Sequence, residues 1–159
     1  ETAEQARKIA SWCRYRPEGV RGLAFGMPHD DYAGGDHVPK MKAANERTLA
    51  IALIETVAGI ENVDAIMATP GIDVGWMGHY DLTNAMGIDG QFDHPRYKAA
   101  VKKLVQACTK HKKAAGFLCG DVKTGKQYLK SGFRILCYGT DIGVFQGALA
   151  AGIAGLKGK

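Results

Sequence analysis

Thr48-Leu-Ala-Ile-Ala-Leu-Ile54 is apolar throughout after its first residue, has the length of a strand, and stops at Glu55. A strand that does not alternate polar with apolar residues belongs inside a parallel sheet whose cover is helical. The same reading applies three times further along, to Ile72–Met77 (ended by Gly78), Ala114–Leu118 and Phe133–Tyr138. Helical stretches separate them. Glu61 to Ala68 leads to Pro70-Gly71, and Asp121 to Leu129 and Ile142 to Leu156 follow the third and fourth strands. Asp93-His94-Pro95 opens a long helix with Pro in its favoured first-turn place, and Tyr97, Val101, Leu104, Val105 and Cys108 recur at helical spacing. Strand and helix in strict alternation give a parallel α/β fold. An open doubly wound sheet and part of a (β/α)8 barrel both fit. A whole barrel takes ~250 residues, so 159 residues with four units amount to about half of one.

Upstream of the first strand the pattern is looser. Thr2 and Gln5 form a capping box for a helix running to about Arg14, and Pro17 and Gly19 mark a turn. Residues 22–36, with Gly22, Gly26, Asp30, Asp31, Gly34, Gly35 and Asp36, read as a long loop, and Pro39 to Glu46 as a helix. The opening Glu1-Thr-Ala-Glu4 reads as the start of a helix in a cut or processed chain. The expectation is one domain over 1–159, with strands 1–4 of a barrel absent.

Composition narrows the function classes. Hydrophobic residues make up 46% and charged ones 23%, the balance of a soluble globular domain, and no apolar run approaches a membrane span. Cys13, Cys108, Cys119 and Cys137 show no metal-ligand spacing and read as small core residues of a cytoplasmic protein. The net charge of +5 gathers partly at Lys102, Lys103, Lys110, Lys112 and Lys113, on the wet face of the long helix. No aromatic residues interleave with them as a base-stacking surface requires, so neither nucleic acid nor membrane is an expected partner.

Each strand ends in polar residues or Gly: Glu55-Thr56, Gly78-His-Tyr-Asp81, Cys119-Gly-Asp121 and Gly139-Thr-Asp141. In parallel α/β folds the carboxyl ends of the strands form the functional rim. Carboxylates from two neighbouring strand ends can share a hard cation such as magnesium or manganese. Glu55 follows an apolar run, and a carboxylate buried alone is costly without a cation or donors. Asp81 reads equally as a helix N-cap, and Asp121 and Asp141 more readily so. His79 is the one histidine on the rim and reads as an outer hydrogen-bonding group; His29, His37, His94 and His111 read as loop, cap or surface residues.

Six segments occur in a recognisable order: Tyr15-Arg-Pro-Glu-Gly-Val-Arg-Gly22, Leu53-Ile-Glu-Thr56, Ala58-Gly-Ile-Glu-Asn62, Pro70-Gly-Ile-Asp-Val74, Gly78-His-Tyr-Asp-Leu82 and Gly90-Gln-Phe-Asp-His-Pro95. Together they resemble the class II pyruvate aldolases of the HpcH/HpaI aldolase and citrate lyase superfamily. The resemblance implies a TIM-type (β/α)8 barrel, spanned here from its fourth helix to its eighth. It implies a carbon–carbon lyase that cleaves a 4-hydroxy-2-oxo acid to pyruvate and an aldehyde through a metal-stabilised enolate. The positions matching Glu55 and Asp81 are implied ligands of a divalent cation, Mg²⁺, Mn²⁺ or Co²⁺. Gly78, Tyr80, Asp81 and Leu118 are implied to contact the 2-oxo acid, with His79 behind them. Free amides after Gly78 suit the substrate carboxylate independently of the resemblance. The family's substrate-binding Arg and acid–base His lie on early strands, so no catalytic residue is expected within this chain, and the chain alone is expected to be inactive.

Two departures stand out. Leu53 occupies a position that is often Gln in the family, and Gly78-His-Tyr-Asp-Leu82 replaces the usual Gly-Pro-x-Asp-Leu. Decarboxylation or condensation of a 2-oxo acid, and a non-catalytic barrel homologue, are the competing readings. The last helix, Ile142 to Leu156, lacks a wet face and carries Gly147, Ala151 and Gly155 at every fourth position. Such a helix must be covered on all sides, which predicts a homo-oligomer, hexameric or trimer-based, built through this helix.

Overall fold

A computed structural model describes residues 1–158 of the chain. Four strands, β1 (Ile51–Ile54), β2 (Val74–Met77), β3 (Ala114–Cys119) and β4 (Ile135–Tyr138), form one parallel sheet in the order β1-β2-β3-β4. Each strand is followed by helix: α3 (Val57–Glu61) and α4 (Val63–Ala68), α5 (His79–Ala85) and α6 (Pro95–Lys110), α7 (Val122–Lys130), and α8 (Asp141–Leu156). Upstream lie α1 (Ala3–Trp12) and α2 (His37–Arg47). Consecutive strand order with helices on one face only is the arrangement of the carboxyl-terminal half of a (β/α)8 barrel and not of a doubly wound sheet, both of which the strand–helix rhythm allows.

The two faces of the sheet differ. Ala52, Ile54, Met77, Ala115, Phe117 and Cys119 point into the helical layer and are buried, sharing a core with Ile66, Met67, Leu82, Tyr97 and Leu104. The other face carries Ile51, Leu53, Trp76 and Leu118. It is open: Ile51 is 45% and Leu53 52% exposed. In a closed barrel this second face is the lumen. The Trp76 ring lies across Gly116 on the neighbouring strand, where an added methyl would meet the ring carbon Cζ3 at 2.8 Å.

Local chemistry sets the helix starts. The capping box at Thr2 forms as the sequence predicts, with Gln5 N donating to the Thr2 hydroxyl at 3.1 Å and Gln5 Oε1 accepting from Thr2 N at 3.1 Å. His94 caps α6 by accepting from Arg96 N at 3.2 Å. The helical stretch expected from Glu61 begins earlier, at Val57, because the Thr56 hydroxyl accepts from Gly59 N at 3.0 Å and starts α3. The expected loop at 22–36 contains a 3-10 turn at Pro28–Asp30, held by Asp30 accepting from Gly26 and Met27 amides and pairing with Lys40.

Of the basic run expected on the long helix, Lys112 and Lys113 lie beyond its end at Lys110; Lys110 pairs with Asp64 at 2.9 Å, Lys103 donates to the Glu61 carbonyl at 3.0 Å, and Lys113 donates to the Thr69 carbonyl. The four cysteines are free; Cys108 and Cys119 are buried as expected, but Cys137, on the open face of β4, is exposed. None of the described helices is long and apolar enough to cross a membrane.

A candidate metal rim at the strand ends

Parallel register places the rim residues. Leu53 pairs with Trp76, so Glu55 and Gly78, each two residues further on, share the open face and neighbour each other at the carboxyl end of the sheet. Gly78 N donates to the Ile54 carbonyl at 3.0 Å, which ties the two strand ends together. The Glu55 side chain folds over the Gly78 Cα. A methyl added at Gly78 would collide with Glu55 Cβ and lie 2.8 Å from Glu55 Oε2. Gly is therefore required here by close approach, since its φ of −83° is open to any residue.

Asp81 sits in the first turn of α5, three residues beyond the glycine that Glu55 covers. The helix begins at Gly78 with no side-chain cap, so Asp81 is not an N-cap. The cap reading holds for Asp121, whose carboxylate accepts from Thr124 N at 2.8 Å and from its hydroxyl at 2.7 Å. It fails for Asp141, because the Thr140 hydroxyl takes that role by accepting from Gly143 N at 3.1 Å. Among the described residues, neither Glu55 nor Asp81 has a hydrogen-bonding or ionic side-chain partner. Glu55 is half-buried between an apolar strand and Gly78, where a carboxylate without donors is costly.

The donor set fits a hard divalent cation. Two carboxylates supply oxygen only, and such ions take further ligands from water or substrate. No cluster of three or more His, Cys, Asp or Glu occurs among the described residues.

His79 turns away from the open face. Its ring packs on Tyr80 and Phe117, each with centroids 4.6 Å away, and on Phe92 at 5.4 Å. Phe117 belongs to the helix-covered face, so His79 anchors the first turn of α5 from behind. Burial depresses its pKa, opposed by a hydrogen bond with the Met77 backbone and by the charge on Asp81. A histidine depressed on folding binds fewer protons than the unfolded chain, so its contribution to stability falls as pH drops through the window below the usual value of 6.5. The urea midpoint is expected to decline with pH across that window, and His79→Phe to flatten the decline. An unchanged slope in the variant would assign the effect to other groups.

Tyr80 is 65% exposed on the rim, and with His79 and half-buried Leu118 it lines a cavity of about 310 Å³. The sequence reading missed Phe92, which packs on His79, Tyr80 and Tyr97 and forms another wall of that cavity. Its only signal was its place in the Gly90-Gln-Phe-Asp segment.

The model of the HpcH/HpaI aldolase/citrate lyase family matches residues 1–148. The chain belongs to this family. It is 36% identical over 149 residues to the 5-keto-4-deoxy-D-glucarate aldolase of Klebsiella pneumoniae, covering 93% of this chain and 57% of that protein. It is 32% identical over 158 residues to the hydroxypyruvate/pyruvate aldolase of Chromohalobacter salexigens, covering 99% and 62%. Among solved structures, the HpcH/HpaI aldolase of Desulfitobacterium hafniense superposes with a TM-score of 0.85 at 27% identity, covering 98% of this chain and 60% of that one. The chain thus spans about three-fifths of the length of these relatives.

Proposed function

We propose that the protein acts as a divalent-metal-dependent carbon–carbon lyase, cleaving a 4-hydroxy-2-oxo acid to pyruvate and an aldehyde or running the reverse. The observation that supports this reading is the Glu55–Gly78–Asp81 rim, where the Glu55 side chain covers a glycine that only close approach explains, Asp81 follows in the first turn of α5, and neither carboxylate has a side-chain partner among the described residues. Membership of a family whose relatives are named aldolases supports it.

The residues divide the work as follows. Glu55 and Asp81 hold Mg²⁺, Mn²⁺ or Co²⁺ through oxygen. The ion, when bound, supplies positive charge where negative charge develops at the 2-oxo group. Amides at Tyr80 and Asp81 receive the substrate carboxylate, Gly78 lets the chain pass close, and Leu118 gives an apolar wall. His79 fixes the turn through its aromatic neighbours. The base that takes the C4 hydroxyl proton is not assigned to any residue of this chain.

Pyruvate release from 4-hydroxy-2-oxo acids by the intact protein is expected to stop on exhaustive chelation and to return with Mn²⁺. Release that survives metal removal, or a Schiff-base lysine trapped by borohydride, contradicts the reading. Activity on oxaloacetate with no aldehyde-forming substrate points instead to a decarboxylase using the same pair.

We also propose a homo-oligomer assembled through α8. None of its residues is buried within the chain; Ile142 is 65% and Val144 52% exposed, two residues apart and so on opposite sides of a helix that its own barrel covers on one side only. Ala151→Leu is expected to lower the oligomeric state in sedimentation while Mn²⁺ binding stays intact. A monomeric wild type, or an unchanged assembly in the variant, contradicts this.

A further inference from the structure

A groove of about 460 Å³ runs along the outer surface between α6 and α7, lined by neither Glu55 nor Asp81 and within the size range of small-molecule sites. Its floor is apolar, built from Phe92, Val101, Val105 and the rings of Tyr97 and Tyr128. Both walls are consecutive helices of the outer layer, present and packed in this chain. In this it differs from the open sheet face and from α8, which the rest of a barrel or a second copy would cover.

Two features of the groove ask for an anion. The Tyr97 and Tyr128 hydroxyls bond each other at 2.7 Å, and a bond between two hydroxyls uses only one of their two hydrogens. Both side chains are more than nine-tenths buried, at 1% and 8% exposed, and neither hydroxyl has another partner among the described residues. One O–H is therefore left over at the floor, and buried donors find acceptors. Burial raises the pKa of both phenols, so that hydrogen is not lost to ionisation at neutral pH.

The second feature is charge. Lys98 and Lys102 stand on the α6 side; the residues that line the groove include no acid, and the carboxylate that acts on Tyr128, that of Asp93, is paired with Lys98. Lys98 is engaged by Asp93 at 2.9 Å, whereas Lys102 has no ion-pair partner among the described residues. On the far side, Lys126 and Lys130 of α7 border Gln127 and Ser131, which also line the groove.

We propose that this groove binds a small anionic amphiphile, an aliphatic or aromatic body ending in one carboxylate. The body lies on the Val101–Val105–Phe92 floor, and the carboxylate accepts from the spare tyrosine O–H and from Lys102. Phe92, Gln127 and Tyr128 also line the rim cavity that holds His79 and Leu118, so the two sites share a wall.

The test is calorimetric titration of the intact protein with octanoate, and with octanol as the neutral comparison. Octanoate is expected to bind with a submillimolar Kd and octanol at least about tenfold more weakly, as a charge-assisted contact implies. Lys102→Glu is expected to weaken octanoate at least about tenfold, and Val101→Trp, which fills the groove, to abolish its binding. If Val101→Trp fails to fold by circular dichroism, the exposed Lys102→Glu decides alone. No heat of binding, equal affinity for octanol, or unchanged octanoate affinity in a folded variant overturns the proposal.

Discussion

Replacing Glu55 by Gln is expected to weaken Mn²⁺ binding by the intact protein at least about 100-fold and to abolish chelator-sensitive pyruvate release. Losing an outer partner of a metal ligand typically costs 10–100-fold, and Glu55 is read here as one of only two protein ligands. The substitution keeps the volume of the side chain, and Glu55 makes no side-chain hydrogen bond or ion pair within the described residues, so folding should be nearly unaffected. Wild-type Mn²⁺ affinity in a folded Glu55→Gln protein would remove Glu55 from the site. Asp81→Asn should behave alike, because the first turn of α5 uses no side-chain cap and the change removes no hydrogen bond from it.

Gly78→Ala is expected to damage both the fold and the site. The added methyl would collide with Glu55 Cβ, approach Glu55 Oε2 at 2.8 Å and Leu53 Cδ1 at 3.3 Å. The strand ends cannot easily part, since Gly78 N is bonded to the Ile54 carbonyl at 3.0 Å. Glu55 must then swing away, or the turn into α5 must shift and carry Asp81 with it. Overpacking of this kind costs roughly 1–3 kcal/mol, and about 2 kcal/mol is expected from the urea transition of the intact protein. Metal affinity should fall together with stability. Gly87→Ala is a useful contrast: nothing crowds that position, and any cost there comes from its positive φ of 68° alone, with the metal site unaffected. A Gly78→Ala protein with full stability and full Mn²⁺ affinity would show that the close approach is not needed.

Much of this arrangement was legible in the residues because it is local. An apolar run ended by one carboxylate marks a strand end on a rim, and Glu55 needed no more than that. Parallel register did the rest, since two-residue periodicity puts Glu55 and Gly78 on one face once Leu53 pairs with Trp76. The helix starts were legible where one residue type can cap, as at Thr2 and Asp121. They were not where two candidates stand side by side: at Thr140-Asp141 the hydroxyl caps and the carboxylate does not. The helix after β1 begins earlier than expected because Thr56 caps it, and the short α3 lacks the spacing of a long amphipathic helix that would have marked it.

The aromatic chain from Tyr80 through His79, Phe92 and Tyr97 to Tyr128 was invisible for a different reason. Its members lie on α5, a loop, α6 and α7, and the Tyr97–Tyr128 bond joins residues 31 apart. No period in the sequence reports a contact of that kind; only packing of the helical layer brings it about. The same holds for Asp73, which accepts from Ala50 N at 2.8 Å and pairs with Arg14 at 3.4 Å at the opposite end of the sheet from the rim. In parallel barrels that end serves stability and the rim serves chemistry, and these residues divide accordingly.

The most direct test is proton exchange at the methyl group of pyruvate, followed by proton NMR in deuterated water with the intact protein. Exchange needs the bound cation and a base of the intact protein to carry the methyl proton, and is independent of any aldehyde. The account predicts exchange in the presence of Mg²⁺ or Mn²⁺, its loss on chelation, and its absence in Glu55→Gln. Exchange that continues in the chelated protein, or at the wild-type rate in folded Glu55→Gln, would contradict it.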